Sequence, residues 1–273
     1  MHAPFARSLR VVPLAAGMWL AGAACAHAQG NLQASYTISM ASVAIGHVTW
    51  SVDIGERLYT STASGKSGGI LAFLVNGDGS VMTQGTVADG YLHPTDFVSH
   101  ILDEDGDTEL RITFDNGFAR EQILHGKPPA EDTVPVTDAE RRGVADPLSA
   151  VLVAKASANA WLAPATCNRV LKIFDGRRRY DLDLSYKRSD QVTIADGFTG
   201  ATLVCAAKLR PIAGYRSGSL LLKYVASRHD MELWFAPVEG TDVLAPIRVL
   251  IPTILGTLKI EASRFQSTGA PDH

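Results

Sequence analysis

The residues whose types and spacing come nearest to chemistry are few. Gly65-Lys66-Ser67-Gly68-Gly69 fits the nucleophile-elbow pattern, in which a serine on a tight strand-to-helix turn presents its hydroxyl for acyl transfer. That geometry needs a parallel α/β sheet, which the surrounding sequence does not offer, so the stretch reads as a glycine turn. It is no phosphate loop either, because Thr60 stands where the first glycine of that motif belongs. Asp103-Glu104-Asp105-Gly106-Asp107 has the charge for calcium. Its glycine comes at the fourth position rather than the sixth, and Phe114 replaces the twelfth-position glutamate, so it reads as a solvated hairpin tip.

Arg177-Arg178-Arg179, just after Asp175-Gly176, is the most localised positive charge. Two readings stand side by side. Successive residues of a strand point to opposite faces, so the arginines would pair with Asp181, Asp183 or Asp190. Alternatively, planar guanidinium forks would hold an anionic partner such as a phosphorylated headgroup or peptidoglycan carboxylates. The histidines show no pair at metal-ligand spacing, and neither a metal nor a cofactor is expected. No catalytic residue is assigned, and the chain is expected not to be an enzyme. The alternative is an envelope hydrolase acting on lipid, peptide or glycan through Ser67 or an acid such as Asp175.

The elements that must position these residues are mostly strands. Alternation of apolar and polar residues, rich in Val, Ile, Thr, Tyr and Phe, predicts strands at 34–40, 44–52, 58–64, 80–87, 95–102, 109–115 and 118–124. Further strands are predicted at 169–174, 180–186, 201–210, 230–235, 247–251 and 258–265, with 219–226 ambiguous between strand and helix. Asn116-Gly117, Asp105-Gly106 and Asp175-Gly176 read as hairpin turns, because primed turns need positive φ. Residues 127–138, with three prolines, read as an exposed loop. Asp146 can cap a helix, Pro147 suits its first position, and the Ala- and Leu-rich stretch 148–160 predicts the one good helix. A shorter helical turn is open over 69–75. Without βα alternation, the fold class is mainly β. It is one long curved antiparallel sheet, an unclosed barrel or β-spiral of roughly a dozen strands, with one helix near residues 147–160.

The N-terminus predicts export. Arg7 and Arg10 precede an apolar stretch from Val11 to Ala24, too short to span a bilayer, and Ala26-His27-Ala28 predicts cleavage before Gln29. Residues 1–28 are then a signal peptide and 29–273 a single β-rich periplasmic domain of a Gram-negative cell, with no transmembrane segment. The signal carries two cations and no acids, so the formal charge moves from −3 to −5 on its removal, and nucleic acid is excluded as a partner. Cys167 and Cys205, the two cysteines left, read as a disulfide in an oxidising compartment.

Several stretches carry a resemblance: Asp146-Pro147-Leu148-Ser149-Ala150, Cys167-Asn168, and Phe174-Asp175-Gly176-Arg177-Arg178-Arg179-Tyr180. Cys205, Pro211-Ile212-Ala213-Gly214-Tyr215 and Pro246-Ile247-Arg248-Val249 continue it. Over roughly 35–265 the chain resembles the exported bacterial family called domain of unknown function 3108. The resemblance implies that Asp146, Pro147, Asp175, Gly176, Tyr180, Gly214 and Tyr215 are motif residues of the fold. It assigns no activity. The expectation is a non-enzymatic cell-envelope protein with a lipid, an acyl chain or an envelope protein as partner in a groove of the curved sheet, or a scaffold without a small ligand.

Overall fold

Alternating burial along the strands is what curls this chain into a barrel. In the computed structural model, which describes residues 29–67, 77–88, 90–103, 106–156 and 161–269, seven strands form an antiparallel meander. These are β1 (Gly30–Met40), β2 (Val43–Ile54), β3 (Leu58–Ser67), β4 (Gly77–Ala88), β5 (Tyr91–Asp103), β6 (Gly106–Asp115) and β7 (Phe118–His125). Leu32 faces Val52 and Ala34 faces Trp50 across β1 and β2, all four buried, while alternate residues stay in water. The signal segment and residues 69–75 lie outside the described residues, as do Glu104 and Asp105.

After a long loop come a short helix α1 (Pro147–Ala150), β8 (Val153–Ala154) and a second turn α2 (Pro164–Cys167). The chain continues through β9 (Arg169–Phe174), β10 (Arg179–Thr193), β11 (Asp196–Gly197), β12 (Thr199–Ala213), α3 (Leu220–Ser227), β13 (Met231–Pro237), β14 (Val243–Thr253) and β15 (Gly256–Gly269). The sheet runs β7-β6-β5-β4-β3-β2-β1-β15-β14-β13-β12-β10-β9, with β8 on β14 and β11 on β15. First and last strands pair along their length, so the two halves share one wall. The free edges are β7 and β9.

Those edges approach each other without pairing, and residues 141–145 act as a strap between them. Ala119 donates to the Arg141 carbonyl at 2.9 Å and Gly143 to the Gly117 carbonyl at 2.7 Å. On the other side Ala145 donates to the Lys172 carbonyl and Phe174 to the Ala145 carbonyl, both at 2.9 Å. One inserted segment therefore satisfies edge groups on both strands. The result is an antiparallel barrel with one unsealed seam.

The helix over 148–160 is the main correction. It begins where Asp146 and Pro147 place it and stops after one turn at Val151. Val153 and Ala154 then pair with Leu244 and Val243 of β14, where all four are buried; tertiary burial overrides the Ala- and Leu-rich propensity. The ambiguous stretch at 219–226 is α3, capped by Ser219. Cys167 and Cys205 are joined, with sulfurs 2.03 Å apart, and the link ties the entry to β9 onto β12 across the intervening β10.

Candidate functional site: a cleft at the open seam

Asp146 organises the segment that enters the barrel. Its Oδ1 accepts from the Leu148 and Ser149 amides at 2.9 and 3.0 Å. Its Oδ2 accepts from the Ser149 hydroxyl at 2.5 Å and the Thr83 hydroxyl at 2.9 Å. Tyr59 completes the chain with its hydroxyl 2.6 Å from Ser149 Oγ. Asp146, Ser149, Thr83 and Tyr59 are all buried, and burial pushes the Asp146 carboxyl above the usual carboxylate range against the hydrogen bonds it accepts. A carboxylate has about four acceptor positions, and all are filled from within the protein. The group is thus a staple, holding α1 against β3 and β4.

The stapled segment floors a cleft of about 940 Å³ at the seam. Its walls come from the end of β4 and the start of β5, the β6–β7 turn, residues 143–156 and the start of β9. Leu92, Phe114, Val144, Leu152, Val153 and Leu171 are among its apolar lining residues. The charged or titratable side chains of the lining are Arg169, Lys172 and His93, with Tyr91 beside them, and no carboxylate lines the cleft among the described residues. Arg169 Nε is buried without a hydrogen-bond partner. Burial lowers this guanidinium's affinity for its proton, with Tyr91 opposing the shift. Sequence reasoning missed Arg169, Thr83 and Tyr59. Arg169 does follow directly on the Cys167-Asn168 motif at the head of an edge strand, a signal that was present.

The arginine run does not converge on one point. Asp175 Oδ1 accepts from the amides of Arg177 and Arg178 at 2.9 and 2.6 Å, and Gly176 takes φ +93° to close the turn. Arg177 Nη1 donates to the Lys127 carbonyl at 3.0 Å. Arg179 is buried; it donates to the Glu140 carbonyl at 3.0 Å and pairs with Asp181, so its fork is built into the fold. Asp183 takes Arg210 and Asp190 takes Arg188.

Gly214, at φ +82°, brings its backbone against the same turn: a Cβ there would lie 1.9 Å from the Arg177 carbonyl oxygen. The hydroxyls of Tyr180 and Tyr215 are pushed up by burial, with Asp175 adding to the shift in both. The motif residues Asp175, Gly176, Tyr180, Gly214 and Tyr215 therefore form one structural knot.

Ser67 ends β3, an antiparallel strand between β2 and β4; Gly68 and Gly69 lie outside the described residues. His100 Nε2 meets Asp107 at 2.9 Å beside the acidic tip. Among the described residues no three His, Cys, Asp or Glu side chains gather as metal ligands. No helix of these residues is long and apolar enough to cross a membrane.

A one-seam antiparallel barrel with a cleft at its opening defines a β-barrel-like protein. The chain belongs to the family described as protein of unknown function (DUF3108), whose family model matches residues 35–263. It is similar to a solved structure of a β-barrel-like protein of the domain of unknown function DUF1849 from Brucella abortus, with 10% identity and a TM-score of 0.44. That likeness covers 88% of this chain and 97% of the other. No curated protein matches.

Proposed function

We propose that this is an exported, non-enzymatic envelope protein that holds an acyl chain in the cleft at its seam. The observation that carries the reading is the cleft itself. Its volume of about 940 Å³ falls within the ~300–1,000 Å³ usual for small-molecule sites, and Leu92, Phe114, Leu152 and Leu171 line it. The signal-like N-terminus and the joined cysteines support an oxidising compartment outside the inner membrane. Gln29, the expected first mature residue, is exposed, as a processed terminus would be. The saturated acceptor positions of Asp146 support a structural rather than a chemical use of its neighbour Ser149.

The test is the fluorescence of N-phenyl-1-naphthylamine, a neutral apolar probe, titrated into the mature protein. Saturable enhancement is expected, abolished by Ala150→Trp, which would fill the cleft from its floor. Enhancement that survives Ala150→Trp in a folded protein would place the probe elsewhere and remove the support.

A further inference from the structure

Resting on the acyl-chain reading, we infer that the cleft is specific for acyl ligands that end in an oxyanion, carboxylate or phosphate, with Arg169 as the residue that receives the head. The cleft is basic in a protein that is acidic overall: the full chain carries a formal charge of −3. Yet Arg169, Lys172 and His93 line the opening, without a carboxylate among the described residues.

Most arginines of the described chain are already committed. Arg179 meets Asp181, Arg188 meets Glu232, Arg210 meets Asp183, Arg248 meets Glu261 and Arg264 meets Asp196. Arg169 has no such pair, and its Nε is buried without a hydrogen-bond partner. Arg169 is partly exposed on the lining of the cleft, and a guanidinium fork matches a planar or tetrahedral oxyanion in two parallel bonds.

The register of the sheet aims it. Arg169 lies opposite Leu184 of β10 and Leu171 opposite Leu182, so Arg169 and Leu171 share one face of β9 with a buried leucine, and Val170 and Lys172 reach the cleft from the other face of this edge strand. Arg169 thus stands at the rim of the apolar volume. A chain packed against Leu171 and Leu152 would place its head there, and charge-assisted bonds are the stronger kind.

Displacement of N-phenyl-1-naphthylamine by palmitate, palmitoyl lysophosphatidate and monopalmitoylglycerol tests this at low ionic strength. The anions are expected to compete at concentrations at least tenfold below the neutral glyceride, and the tighter of the two identifies the head. Arg169→Gln should bring that preference to about one, while Arg264→Gln, which removes an arginine of β15 that pairs with Asp196 of β11, keeps it. Should Arg169→Gln fail to fold, salt decides: the preference of the unmodified protein must shrink as salt screens the half-exposed guanidinium. Equal competition by the glyceride, or a preference that survives Arg169→Gln or high salt, overturns the inference and leaves the acyl-chain reading standing. No displacement by any of the three overturns both.

Discussion

Replacing Asp146 separates a stapling role from a chemical one. In Asp146→Ala the amides of Leu148 and Ser149 lose their acceptor in a site that is fully buried. Loss of an N-cap costs roughly 0.5–2 kcal/mol and an orphaned buried donor roughly 1–3, so about 3 kcal/mol is expected. Asp146→Asn should behave differently. Its amide oxygen can accept both backbone bonds, and its NH₂ can donate to the Ser149 and Thr83 hydroxyls. Those hydroxyls have new acceptors at hand: Tyr59 Oη at 2.6 Å and the Asp96 carbonyl at 3.0 Å. The expected cost is below about 1 kcal/mol.

The pH dependence carries a sign. Burial raises the Asp146 carboxyl in the folded state above its value of 3.8. Its contribution is therefore fully present below the unfolded value and is lost as pH rises through the folded one. Unmodified protein should thus lose stability relative to Asp146→Asn as pH rises above about 4. Urea unfolding of the oxidised protein, followed by tryptophan fluorescence at several pH values, measures all three. Equal losses in the Ala and Asn variants would refute the staple, whereas a difference that moves the other way with pH would mean that the four donors outweigh burial at Asp146.

Other expectations follow from the same contacts. Reducing the Cys167–Cys205 link, which closes 38 residues of sequence, should lower stability by about 4 kcal/mol on chain-entropy grounds, read as a shift in the urea midpoint with and without reductant. Gly214→Ala should cost at least about 2 kcal/mol, since positive φ and an obstructing Arg177 carbonyl both oppose a side chain; a melting temperature like the unmodified protein's would contradict it. Burial raises the Glu232 carboxyl, but hydrogen bonds from Arg188, Lys187 and Trp234 outweigh this and hold it at about 2, against an ordinary 4.5. This group's stabilisation, at most roughly 3 kcal/mol, is present above pH 4.5 and disappears as pH falls toward 2. Glu232→Gln should flatten acid unfolding over that window.

Much of the architecture was legible because most strands declare themselves by alternation and most turns by residue type, whereas the two-residue strands β8 and β11 do not. Asn116-Gly117 takes φ +48° and +73°, as the dipeptide suggests. Ala41 and Ser42 make the turn between β1 and β2 at φ +46° and +72° with residues that carry no such signal. The overlong helix shows the limit of propensity: what ends α1 is β14, some 90 residues away, whose edge takes Val153 and Ala154. The site was hidden for the same reason. Thr83, Asp146 and Ser149 meet only when the strap crosses the seam, and an arginine at the head of β9 looks like any other until the cleft it lines proves to lack a carboxylate among the described residues. The arginine run drew attention by local charge, yet its third member is consumed by Asp181 and the Glu140 carbonyl.

Native mass spectrometry of the protein purified from periplasm without detergent, repeated under denaturing conditions, tests the central claim most directly. A chain beginning at Gln29 with a co-purifying mass that leaves on denaturation, and that fragments as an acyl compound, is the predicted result. Protein isolated empty, and still empty after incubation with lipid extract, would contradict the acyl-chain reading.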